Sequence, residues 1–179
     1  MDRDRMEDEV IYEKGSSRFL LRRYVDKKGI AKEWGMVHIQ SLGKNALVAA
    51  LTETNELILE RSLRVPLKGE VIELPGGMND TEGESPLDVA KRELLEETGY
   101  VATDYEEVAT FAEAPGITDQ EIVLYVARNA KKIADPVLGN SEEIEVLTIP
   151  VKSVHGFLKQ SGVTVDAKVF AALYFLQKI

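Results

Sequence analysis

The sequence predicts an α+β fold built in layers, and three observations carry that expectation. Short apolar segments bounded by turn residues recur along most of the chain, as strands require. Helical spacing with start and stop residues occurs in only three places, one central and two near the C-terminal end. At 179 residues the chain is long enough for one domain with a proper core. No internal repeat and no low-complexity segment interrupts it.

Taken in order, residues 1–9 are polar, and Val10-Ile11-Tyr12 is apolar enough to start a strand. Phe19 to Val25 is a stronger strand candidate, followed by a turn at Asp26-Lys27-Lys28-Gly29 and a second strand through Ile30 to Ile39. Together they predict an N-terminal hairpin. A hairpin alone is marginal, so it must pack on the domain or on a second subunit. Ala46 to Thr52 is a mostly apolar run, consistent with a buried strand. Glu56 to Arg61 and Val71 to Leu74 follow as strands, then a helix over 86–98. Glu107 to Ala112, Glu121 to Arg128 and Glu145 to Ile149 are also strand-like. A helix is expected from Val151 to Lys159, ending near Gly162. A last one, capped by Asp166, is expected from Lys168 to Gln177, with Val169, Phe170, Leu173, Tyr174 and Leu176 apolar.

Composition narrows the function. Apolar residues at 44% and charged residues at 30% are ordinary for a soluble protein. Without cysteine there is no disulfide framework, zinc-thiolate site or cysteine nucleophile, which fits a reducing cytoplasm. The first six residues lack an apolar leader, and no apolar run approaches membrane-spanning length. The net charge of −9 argues against general nucleic-acid binding. It leaves a small anionic substrate open, because a bound metal reverses the local field.

Residues 76–100 hold the chemistry. Gly76-Gly77 leads into a helix with Ser85 as N-cap, Pro86 in its first turn and Gly99 as its stop. Glu93, Glu96 and Glu97 stand three and four residues apart and share one face. Like charges so spaced repel, and Arg92 is one cation among several acids. A solvated acidic face and a divalent-cation site both fit this spacing; the glycines favour the second, since they allow close approach to metal or phosphate.

This stretch resembles the Nudix box, G-x5-E-x7-R-E-U-x-E-E-x-G-U with U bulky and apolar. From Glu84 the correspondence is complete: Arg92-Glu93-Leu94, then Glu96-Glu97, Gly99 and Tyr100, the last a mild variation. Six residues, not five, separate Gly77 from Glu84, so the loop 78–83 is one residue longer. The resemblance implies an α/β/α sandwich, a Nudix fold with a mixed sheet and the N-terminal β-hairpin as an extension. It implies that Glu93 and Glu97 ligate Mg²⁺ directly, Mn²⁺ being the alternative ion. Glu96 is then a further ligand, the Gly76 carbonyl a backbone ligand, and Glu84 a support for the loop or the outer metal shell. Arg92 counts with the catalytic set by holding a glutamate in place.

Beyond the box, features resemble the ADP-ribose and nucleoside-diphosphate-sugar pyrophosphatase branch. Pro115 follows Tyr100 by fifteen residues, and Arg61 and Arg64 stand at a strand end, all three implied to bind substrate. Glu142, with Glu143 as second choice, matches that branch's catalytic base in an acidic loop. Trp34 on the hairpin is either a packing residue or, as the resemblance implies, a platform that stacks on a nucleobase. His38 and His155 have no metal-ligand spacing and receive no role. The resemblance divides the chain into a dimerising extension, 1–44, and a Nudix domain, 45–179. It implies a homodimer that cleaves a nucleoside diphosphate-linked small molecule, with no nucleic-acid or membrane partner. A silent nucleotide sensor, or a hydrolase of dinucleoside polyphosphates or RNA caps, is the alternative.

Overall fold

The chain opens with a sheet of its own. The structure, a computed structural model, describes residues 6–139 and 143–177. Strands β1 (Glu7–Lys14), β2 (Ser17–Val25) and β3 (Ala31–Ile39) form an antiparallel sheet in sequence order. The expected turn joins β2 to β3, with the Asp26 carboxylate accepting the amides of Lys28 and Ile30. The expected hairpin is thus part of a three-stranded sheet. β1 is exposed along its whole length, so no apolar alternation announces it. Charge complementarity aligns it instead: Asp8 pairs with Arg22 at 2.7 Å, Glu13 with Arg18 at 2.7 Å, and Glu9 with Arg23.

The second sheet has nine strands: β4 (Asn45–Thr52), β5 (Glu56–Arg64), β6 (Gly69–Glu73), β7 (Gly76–Gly77), β8 (Tyr100–Val101), β9 (Asp104–Ala112), β10 (Glu121–Lys132), β11 (Ile144–Pro150) and β12 (Thr164–Val165). Its main path runs β12-β6-β5-β4-β10-β8, with β11 on β5, β7 on β4 and β9 on β10. β4 with β10 and β6 with β12 are parallel, while the other pairs are antiparallel. The sheet is therefore mixed, as expected.

Three helices cover it: α1 (Pro86–Thr98), α2 (Val151–Gln160) and α3 (Ala167–Leu176). Strand alternation sorts the core into two layers. Ala46, Val48 and Ala50 of β4, with Val123 and Tyr125 of β10, pack with Val89, Ala90 and Leu94 of α1. Leu47 and Ala49, with Leu124 and Val126, pack with Val154 and Leu158 of α2 and Val169 and Ala172 of α3. Both faces of β4 and β10 are covered, which explains their nearly continuous apolar runs. The result is the α/β/α sandwich. Among the described residues no helix is long and apolar enough to cross a membrane.

The helix bounds follow from local chemistry. Ser85 and Asp88 form a capping box, each side chain accepting the other's amide. Gly99 ends α1 in the left-handed region at φ 76°, its amide donating to the Leu95 carbonyl at 2.9 Å. Asp166 caps α3 by accepting the Lys168 amide at 2.8 Å.

Candidate active site

The glycines and the acidic helix meet directly. β7 pairs with β4, Gly76 opposite Leu47 and Gly77 opposite Ala46. Gly76 sits at φ 150°, where an added Cβ would strike the Ala46 carbonyl, and one on Gly77 would strike the Glu93 carboxylate. A side chain at Gly76 would thus push β7 off β4, and one at Gly77 would displace the Glu93 carboxylate. The Gly76 amide donates to Glu97 Oε2 at 2.8 Å. The sequence pointed to the Gly76 carbonyl as a ligand; the bond made here is through the amide.

Arg92 resolves the crowding of like charges. Its Nε and Nη2 reach the two oxygens of Glu84 at 3.0 and 3.1 Å, a two-toothed grip. Nη1 donates to Glu93 Oε1 at 2.8 Å and Glu96 Oε2 at 3.1 Å. Nη2 also reaches the Met78 carbonyl at 3.3 Å. The bond to Glu84 raises the Arg92 pKa further above its ordinary value, so the cation is permanent. Burial pushes the Glu93 carboxyl up, against the pull of Arg92. Glu84 and Glu93 are nearly buried at 10% and 13% side-chain exposure, whereas Glu96 is half exposed at 48%.

The longer loop is anchored at a single buried residue, Asn79. Its backbone amide donates to Asn45 Oδ1 at 3.2 Å, its side-chain amide to the Glu84 carbonyl at 2.9 Å, and its carbonyl accepts the Leu42 amide at 2.7 Å. The added residue is accommodated before the helix begins, and Glu84 stays in reach of Arg92.

Two acids that the box does not contain complete the site. Glu60 of β5 and Glu73 of β6 are direct cross-strand partners, 2% and 7% exposed. Alternation puts Glu60 on the same side as Ile58, toward α1. There it hydrogen-bonds Glu97, and burial first, then the charge of Glu97, drives its carboxyl well above the usual range. Arg64 pairs with Glu73 at 2.7 Å. The signal for Glu60 in the sequence is slight: it follows the three apolar residues Leu57-Ile58-Leu59 and is in phase with Ile58.

The remaining expected residues divide into three places. Arg61 lies in phase with Leu57 and Leu59, on the opposite side of β5 from Glu60, and pairs with Glu145 at 2.8 Å. Glu142 lies outside the described residues. Glu143 is exposed, and its carbonyl accepts the Leu63 amide at 3.2 Å, which ties residue 143 to β5 beside Arg64. Trp34 is 52% exposed and donates through Nε1 to the Gly116 carbonyl at 3.2 Å, next to Pro115. The Val37 amide donates to the Ile117 carbonyl at 2.7 Å, and His38 stands 3.0 Å from Asp119. The sheet β1–β3 and the Pro115 loop are thus one unit.

Among the described residues no three acidic or histidine side chains stand together at metal-ligand spacing, since Glu93 and Glu96 are turned onto Arg92. The donors nonetheless suit a hard cation. They are carboxylate oxygens, and Glu60 Oε1 is buried with no hydrogen-bond partner.

The carboxylate helix and the glycine strand it is seated on lie within residues 42–173, which match the sequence model of the NUDIX domain family. The chain belongs to the Nudix family and is a Nudix hydrolase related to ADP-ribose pyrophosphatases. It is 32% identical over 131 residues to the methanol dehydrogenase activator of Bacillus methanolicus, covering 73% of this chain and 70% of that one. It is 30% identical over 131 residues to the ADP-ribose pyrophosphatase of Bacillus subtilis, with the same coverage. A crystal structure of an ADP compounds hydrolase superposes with a TM-score of 0.79 at 18% identity, over 96% of this chain and 90% of that one, and shows the shared fold. Nudix hydrolases generally use divalent metal ions and act on nucleoside diphosphate-linked substrates.

Proposed function

We propose that this protein hydrolyses ADP-ribose, or a closely related nucleoside diphosphate sugar, to a nucleoside monophosphate and a sugar phosphate, with Mg²⁺ as the working ion and Mn²⁺ as a substitute. The observation that carries it is the seating of Glu93 and Glu97 against Gly76-Gly77, with Arg92 holding Glu84, Glu93 and Glu96. The kinship with an ADP-ribose pyrophosphatase supports the substrate class.

Glu93, Glu96 and Glu97 would hold the ion, with Glu84 behind them and the backbone of Gly76 beside them. When bound, the ion offsets phosphate charge and acidifies water. Arg92 keeps the carboxylates aligned on one rigid helix. Arg64, near the loop of Glu143, supports binding of the anionic substrate. Arg61, paired in the sheet, would do so only on leaving Glu145. Trp34 and Pro115 would flank the base. Water adds to one phosphorus, the bridging P–O bond breaks, and Glu142 takes the water's proton as general base. Glu142→Gln should lower kcat more than Glu143→Gln; the reverse ranking would move the base to Glu143.

The extension 1–44 serves as a dimer contact in this proposal, supported by the exposed apolar side chains of Val10, Ile11, Tyr12 and Phe19 on its sheet. The cysteine-free sequence supports action in the cytoplasm. Product release from a panel of nucleoside diphosphate sugars, dinucleoside polyphosphates and capped RNA, with Mg²⁺ and with EDTA, tests the whole. Metal-dependent cleavage of ADP-ribose or a related sugar nucleotide is expected. Release only from the other substrates, or from none, contradicts it, and the latter favours a sensor.

A further inference from the structure

The box and its branch account for the acids of α1, but not for Glu60. This residue stands in the interior of β5, 2% exposed, on the side that packs against α1, in phase with Ile58 and directly across the ladder from Glu73. Its neighbours have partners. Glu73, directly across the ladder, is held by Arg64 at 2.7 Å, and Glu97 accepts the Gly76 amide at 2.8 Å. One hydrogen bond joins Glu60 to Glu97. The other oxygen of Glu60, Oε1, is fully buried and has no hydrogen-bond partner.

A buried acid is costly to keep unless something positive or hydrogen-bearing meets it. Arg64 is bonded to Glu73, and Arg92 to Glu84, Glu93 and Glu96. Glu60, beside the box glutamate Glu97, thus carries a buried oxygen with no hydrogen-bond partner. Oxygen donors in such a group select a hard divalent cation.

We propose that Glu60 is a further ligand of the divalent-cation site, reaching from the sheet with Oε1 to the ion held by Glu97 on the helix; the inference rests on the metal-dependent reading above. A second explanation is purely structural, Glu60 serving as a hydrogen-bonding prop for Glu97. The two are separable, because glutamine keeps the shape and the hydrogen bond but loses the charge.

The test is Mn²⁺ binding to the full chain without substrate, read from the electron paramagnetic resonance signal of free Mn²⁺, beside thermal melting in EDTA. Glu60→Gln should weaken Mn²⁺ binding by at least about tenfold while melting no lower than wild type without metal. Glu60→Val, which suits a buried strand, should lose the ion to the same degree or more and carries the test if the glutamine variant does not fold. Wild-type Mn²⁺ affinity in either folded variant overturns the proposal and leaves the hydrolase reading standing. A wild-type chain that binds no Mn²⁺ and cleaves nothing in the panel overturns both.

Discussion

Arg92 touches Glu84, Glu93 and Glu96 and a loop carbonyl, so one side chain joins the loop 78–83 to the acidic face of α1. Five donors in a planar fork make this feasible, and a lysine cannot reproduce it. Removing the fork would leave Glu84 and Glu93 as nearly buried charges without their cation. Arg92→Ala is therefore expected to lower stability by about 2 kcal/mol, and Arg92→Lys by less. Urea unfolding checks this; an alanine variant within about 0.5 kcal/mol of wild type would mean that Arg92 is a surface residue. The pattern of the box made Arg92 and its glutamates legible as residues. It did not make Glu60 legible, because its burial depends on β6 and α1 arriving from elsewhere in the chain.

At the scale of elements, the sequence described best what local chemistry decides. The capping box at Ser85 and the glycine at 99 set both ends of α1, and Asp166 set the start of α3. The two-residue strands β7, β8 and β12 were not legible, since a pair of residues has no period and its partner is far along the chain. β1 was legible only as a short apolar patch, because its alignment rests on ion pairs with β2. Each such pair contributes little on its own. A sheet with this much apolar surface in water calls for a cover, and a second copy of the same sheet is the proposed one. Sedimentation at micromolar concentration should show a dimer that Tyr12→Glu weakens at least about tenfold. A monomeric wild type would contradict the role given to residues 1–44.

Across the whole molecule, the mixed sheet works as a floor with different tasks on its two sides. α2 and α3 close one side with apolar residues throughout. α1 closes the other, and where its apolar packing ends the buried acids begin: Glu60 and Glu73 from the sheet, Glu97 from the helix. The family match begins at residue 42, close to the start of β4, while β1–β3 remain a separate sheet docked through Trp34 and Val37 to the Pro115 loop. If Trp34 and Pro115 flank the base as proposed, the extension contributes to specificity as well as to assembly. We propose that Glu97 lies at the heart of a metal-dependent pyrophosphatase, and AMP release from ADP-ribose by wild type and Glu97→Gln, each with Mg²⁺ and with EDTA, tests this. Glutamine can still accept the Gly76 amide, so the variant should melt like wild type. Wild type is predicted to release AMP only with Mg²⁺, and the variant to be slower by at least about 100-fold. A folded Glu97→Gln protein that cleaves ADP-ribose at the wild-type rate would rule out a metal-holding role for Glu97.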